Sequence, residues 1–228
     1  MLQKSDELTA DQLQELEWIY LELLQRPGAT THARHLEQRL ADDPDFYLQL
    51  ICKVYRSKDE PQKEPTEEAK AEALHTYKLL SSWSIPPGRL ADGGFDAEKF
   101  LQWINVVAAQ SGGLGRFEVA LTKAGNVLVH VPNAPNGMWI NEAVAAVLNR
   151  AEMEPLRAEY NSGLYNSRGA HWVDPSGNEE RALGHTYQSW ADEAERAGYV
   201  RISASLKALA QEYFLQAENV SAMYGLEG

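Results

Sequence analysis

Cysteine is almost missing from this chain: Cys52 is the only one in 228 residues. No intrachain disulfide can form, which suits a reducing compartment. No CxxC or Cys/His finger spacing exists to hold a structural zinc ion. Cys52 lies in the apolar run Phe46 to Tyr55, so it is expected to be a buried, inert thiol. Basic charge is also short, with 21 Lys and Arg against 33 Asp and Glu and a net charge of −12. A nucleic-acid binder needs a basic face toward phosphate, and an anionic membrane surface repels an acidic chain. Neither is expected as a direct partner. No apolar run reaches the roughly 18 residues of a membrane span, and the polar opening MLQKSDELTADQ is not a signal peptide. These lacks describe an acidic cytoplasmic protein.

Catalytic patterns are missing too. Neither GxGxxG nor GxxxxGK occurs, so no phosphate-cradling loop is visible. No GxSxG elbow anchors serine-hydrolase chemistry. His32 and His35 form HxxH without the glutamate of HExxH or a marked third ligand, which reads as a solvated helix face. His75, His130 and His185 stand singly. The pair Glu67-Glu68 is a helix-start device that favours the macrodipole. No cofactor and no metal are expected.

What the chain does contain is helical periodicity. Its apolar content of 44%, with six Trp and ten Tyr, is enough for a substantial core. Thr9 with Gln12 reads as a capping box opening a helix that Pro27-Gly28 ends. A second helix is expected from about Thr31 to Ala41. Asp43-Pro44 opens a third, as N-cap and first-turn proline, packed by Phe46, Leu50, Ile51 and Val54. Thr66 caps a fourth to about Trp83, expected inward at Ala73, Leu74, Tyr77 and Leu80. Further helices are expected over Asp96 to Gln110, Met138 to Arg150, Leu156 to Ser167, Asn178 to Ala197 and Val200 to Met223. The last two, long and closely connected, should form an antiparallel pair.

Arg116 to Val131 has two readings. Alternation of Phe117, Val119 and Leu121, and of Val127, Val129 and Val131, gives a β-hairpin signal. Helix is preferred, because an isolated hairpin is marginal whereas Gly125 within a helix costs only about 1 kcal/mol. The result is an all-α fold of about ten helices, packed as hairpins in an irregular bundle or short α-solenoid. The break Ser84 to Gly94 suggests an N-terminal subdomain, 1–90, and a C-terminal one, 91–228. No TPR-like or ankyrin-like period is found.

The densest polar and aromatic stretch is Tyr160 to Trp172, YNSGLYNSRGAHW. Tyr165, Asn166, Arg168, His171 and Trp172, with Glu180 and Arg181 just beyond, are the candidate site residues. Three uses are open. Arg168 can pair with Glu159 or Glu180 and brace the loop, since a partly buried arginine needs a partner. The Tyr, Trp and Arg can bind a protein partner, being residue types enriched at binding hot spots. Alternatively, His171, Asp174 and Glu159 can serve a hydrolase or metal-dependent enzyme centred on 159–181.

Several runs occur together in a recognisable order: Trp18 to Leu24, Asp43 to Phe46, Val54 to Lys58, Leu79 to Trp83, Gly163 to Gly169, Glu180-Arg181, Tyr187 and Ala210 to Tyr213. Across residues 15 to 218 the chain resembles the C-terminal region of a family of very long, mostly helical bacterial proteins with no assigned activity. The resemblance implies a domain of a larger protein, or a split-off version of one. In layout such proteins resemble sensor or scaffold parts of bacterial defence systems. The favoured expectation is a non-enzymatic scaffold or protein-interaction module, whose partner is another protein or the remainder of a parent protein. A structural cap closing a longer solenoid is a further expectation, with Trp18 and Tyr20 on an exposed apolar face.

Overall fold

The computed structural model describes residues 8–21, 33–57, 60–61, 64–169 and 174–224. Ten α-helices lie among them, with no strand: α1 (Ala10–Ile19), α2 (Arg34–Asp42), α3 (Pro44–Val54), α4 (Glu67–Ser82), α5 (Ala97–Gly113), α6 (Phe117–Val127), α7 (Glu142–Leu148), α8 (Glu154–Asn166), α9 (Asn178–Arg196) and α10 (Val200–Met223). The fold is all-α. Side-chain caps set half of the helix starts. Thr9 and Gln12 form a reciprocal capping box on α1, and Asp43 accepts from the Phe46 N–H ahead of α3. Thr66 and Asp96 cap α4 and α5 in the same way, each such cap contributing about 1 kcal/mol. No helix among the described residues is long and apolar enough to cross a membrane.

Two compact units divide the chain, Met1–Ala120 and Leu121–Gly228. The break at Ser84 to Gly94 lies inside the first. In that unit Tyr47, Trp83 and Trp103 pack with ring centroids 5.0 to 5.8 Å apart. Two of the three polar ends in this cluster are satisfied: the Tyr47 hydroxyl donates to Ala120 O at 2.6 Å and the Trp103 indole N–H to Leu40 O at 3.0 Å. Buried Glu37 accepts from both the N–H and hydroxyl of Ser84, each at 2.8 Å. Arg116 donates to Tyr55 O, Leu114 O and Glu60 Oε1, all at 2.7 Å.

Several sequence expectations change here. Leu74 and Tyr77 of α4 are exposed, and Thr76, Leu79 and Leu80 form its buried stripe. Phe46 is only half-buried, lying under the Arg39 guanidinium at 4.1 Å, while its neighbour Tyr47 is fully buried. Cys52 is partly exposed rather than buried. The first-turn N–H groups of α2 have no local cap; the Glu17 carboxylate of α1 accepts from His35 N at 3.1 Å and Leu36 N at 2.9 Å instead. His35 also bonds Glu17, at 2.7 Å. His32, its expected HxxH companion, lies outside the described residues.

The hairpin alternative for 117–131 is not what forms. Residues up to Val127 are helical, and Leu128–His130 tighten into a 3-10 turn. Gly125 supplies the physical reason, because a Cβ there would sit 2.5 Å from Leu156 O and 2.9 Å from the Glu159 Cβ. Gly163 returns the contact on α8, where a Cβ would lie 2.8 Å from Val129. Gly125 therefore lets α6 lie against the α8 backbone, Gly163 makes room for the Val129 side chain of the 3-10 turn, and this packing offsets the propensity cost of Gly125. α7 starts later than its periodicity suggests, because Asn141 caps it by accepting from the Ala143 N–H at 3.0 Å.

Candidate functional site

Helices α8, α9 and α10 of the second unit carry the candidate residues. α9 and α10 form the hairpin that positions them. Its turn is short: the Gly198 N–H donates to Glu195 O at 2.9 Å and the Tyr199 N–H to Ala194 O at 2.8 Å. Gly184 on α9 leaves room for Phe214, whose ring would lie 2.5 Å from any added Cβ. At the entry to α9, Gly177 adopts φ of 68° and lies against the α10 backbone at Ala217.

Arg168 follows the end of α8 and reaches the first turn of α9. Its Nη1 donates to Glu180 Oε1 at 3.0 Å and its Nη2 to Glu179 Oε2 at 2.9 Å. The Glu180 side chain is 3% exposed and that of Arg168 15%. Acidic groups in a first helical turn also meet the favourable end of the macrodipole. Arg181 turns the other way, donating to Ser176 O at 2.7 Å, Asn178 Oδ1 at 3.2 Å and Ser221 Oγ at 3.1 Å. Ser221 in turn donates to Ser176 O at 2.9 Å. Asp174 accepts from the Ser176 hydroxyl at 2.5 Å and its N–H at 3.0 Å, and from the Asn178 N–H at 3.2 Å. The Ser176 hydroxyl first, and then these backbone N–H groups, hold its carboxyl below the usual range. His171 and Trp172 lie outside the described residues.

A line of aromatic rings runs from Trp139, ahead of α7, through the same helices. Trp139 stacks on Trp190 at 4.7 Å, Trp190 meets Tyr187 edge-on at 5.2 Å, and Tyr187 stacks on Tyr213 at 5.4 Å. Tyr165 closes the line against Tyr213 at 5.5 Å and is 37% exposed. The Tyr187 hydroxyl donates to Leu164 O at 3.2 Å, tying α9 to α8. Burial, with Tyr187 adding to it, pushes the Tyr213 phenol up to about 12. Burial also raises Tyr187 and Tyr160. None of these phenols is placed to act as a base near neutral pH.

Beside Tyr165 a groove of about 410 Å3 opens between α8 and α10. Asn161, Ser162, Tyr165, Asn166, Ser205 and Glu212 line it. Gln216 spans its rim, donating to the Tyr165 hydroxyl at 3.0 Å and to Glu212 Oε1 at 3.4 Å. Tyr165 and Asn166 from the sequence-selected set thus face a groove, whereas Arg168, Glu180 and Arg181 are held in intramolecular contacts. Sequence reasoning missed Asn161, Ser205, Glu212 and Gln216. Three of these sit on α10, 40 or more residues beyond Tyr165 in the chain, and only packing brings them alongside. The signal for Asn161 was present, in the duplication of Tyr160-Asn161-Ser162 by Tyr165-Asn166-Ser167.

Of the residues named for a hydrolase, Glu159 lies at the α6–α8 crossing and Asp174 caps the start of α9. Among the described residues no three His, Cys, Asp or Glu side chains converge as a metal ion would need. No protein family, curated protein or solved structure matches this chain.

Proposed function

We propose that this chain is a non-enzymatic helical interaction module that holds a protein partner, or another part of a parent protein, at the groove between α8 and α10. The observation that carries this reading is a division of labour around Tyr165. Arg168 and Arg181 are tied to the α9 entry, while Tyr165 and Asn166 face an open groove lined by amides and hydroxyls. Such a surface offers shape, an aromatic anchor and hydrogen bonds. Affinity capture from a bacterial lysate, comparing the wild type with Tyr165→Ala, tests it. Partner recovery should fall at least about tenfold, since an aromatic anchor contributes about 2 kcal/mol, with the helical circular dichroism unchanged. Equal recovery by both proteins excludes the groove as the binding surface.

A second reading, the structural cap, is favoured by α1. This helix has no fully buried residue, and Leu16, Ile19 and Tyr20 are exposed, Ile19 by 62%. An apolar face of this kind suits a neighbouring helical layer. Ile19→Lys should then weaken association with the parent protein while Tyr165→Ala leaves it intact. The opposite pattern supports the groove.

A further inference from the structure

We propose that the α8–α10 groove takes the guanidinium of an arginine on the partner protein, with Glu212 as its charge partner and the Tyr165 ring as its stacking wall. The inference rests on the interaction reading above and names the chemistry of the partner. Among the described residues, Glu212 is the only charged side chain lining the groove. It is exposed, and the contact it makes there is a long one, from Gln216 at 3.4 Å. The groove hydroxyls are biased toward accepting. Ser162 already donates to Ala158 O and Ser205 to Ile202 O, each at 3.2 Å. Their protons are committed to the backbone, so their oxygens face an incoming group as acceptors. Gln216 donates into the Tyr165 hydroxyl at 3.0 Å, which fixes the ring beside Tyr213.

A carboxylate, two hydroxyl acceptors and an aromatic face in one groove match a planar group rich in donors. Guanidinium is that group. It carries five N–H donors and no acceptor, and it stacks on aromatic faces. An ammonium satisfies the charge but not the planar stacking, and an anionic ligand meets Glu212 with repulsion. The net charge of −12 adds a long-range field that draws basic segments toward the surface. At about 410 Å3 the groove has room for an arginine side chain and part of its neighbours.

The test uses three capped tripeptides, acetyl-Gly-Arg-Gly-amide and its Lys and Glu counterparts, titrated into the 15N-labelled full chain. The arginine peptide should give saturable shifts centred on Asn161, Tyr165, Ser205 and Glu212. The lysine peptide should bind more weakly, and the glutamate peptide should give no saturable shift. Glu212→Gln, at an exposed position, should weaken the arginine peptide about tenfold, the scale of one charge-assisted hydrogen bond. Tyr165→Leu should remove the preference for arginine over lysine. No saturable shift, shifts centred elsewhere, or an unchanged affinity in Glu212→Gln overturns the proposal. Partner capture that depends on Tyr165 without arginine binding would overturn this inference alone and leave the interaction reading standing.

Discussion

Arg168 Nη1 donates to Glu180 Oε1 at 3.0 Å, joining the end of α8 to the first turn of α9 across the loop between them. Both side chains are largely removed from water, so the pair is not an ordinary surface salt bridge. Taking away the guanidinium removes the charged donor at Oε1 of a buried carboxylate, and that loss outweighs whatever the pair contributes as a pair. Arg168→Ala should therefore destabilise the chain by about 3 kcal/mol, measured by urea unfolding. Glu179→Ala, which removes the exposed partner, should cost under about 1 kcal/mol. Equal effects of the two substitutions would contradict the brace.

Gly125 allows a test of packing against propensity. Alanine there gains about 1 kcal/mol of helix propensity, yet its Cβ would sit 2.5 Å from Leu156 O, a backbone atom with no rotamer to yield. Overpacking of this kind costs about 1–3 kcal/mol, so Gly125→Ala should be net destabilising. Gly112→Ala, with nothing within 4 Å of the added Cβ, should be neutral or stabilising by up to about 1 kcal/mol. The thermal midpoint should fall for Gly125→Ala and hold or rise for Gly112→Ala.

The same contact explains how much of the fold was legible. Caps announce themselves locally, so Thr9, Asp43-Pro44, Thr66 and Asp96 marked helix starts correctly. The 117–131 segment carried both periods, and only its crossing with α8 separates them. On α3, helical spacing drew attention to Phe46, while the buried centre is its neighbour Tyr47, whose hydroxyl finds Ala120 O 73 residues away. The cap on α2 comes from Glu17 on another helix, which no reading of a local window can find. The groove has the same character. Tyr165 and Asn166 stood out by composition, but their partners on α10 are brought in by tertiary packing.

Asp174 sets an acid limit on the α9 entry. Its carboxyl is held below the usual range by the Ser176 hydroxyl and neighbouring N–H groups, so the folded state favours the ionised form. The stabilisation is complete above the unfolded value of about 3.9 and is lost as pH falls through the lower folded value. NMR titration should show Asp174 protonating below the ordinary aspartate midpoint. Ser176→Ala should raise its midpoint toward the ordinary value; no movement would remove the hydroxyl as the main cause.

The tyrosines set an alkaline limit. Tyr213 is pushed up to about 12, and burial raises Tyr187 as well. Both are neutral in the fold where an unfolded tyrosine, with a midpoint of about 10, begins to ionise. Their stabilisation is fully present below about pH 10 and is lost as pH rises through the folded midpoints. Absorbance at the phenolate band should show a late phase, above the ordinary tyrosine midpoint, that coincides with loss of helical signal. A single phase near the ordinary midpoint, with the helices intact, would contradict the burial of this cluster.

Site-specific photo-crosslinking tests the docking surface most directly. A benzophenone side chain at Asn166, on the groove, is compared with one at Leu74, exposed on α4 of the first unit. A partner held between α8 and α10 should crosslink from position 166 and not from 74, and the crosslink should vanish in Tyr165→Ala. Crosslinking from 74 alone, or from 166 regardless of Tyr165, would contradict a partner held in that groove.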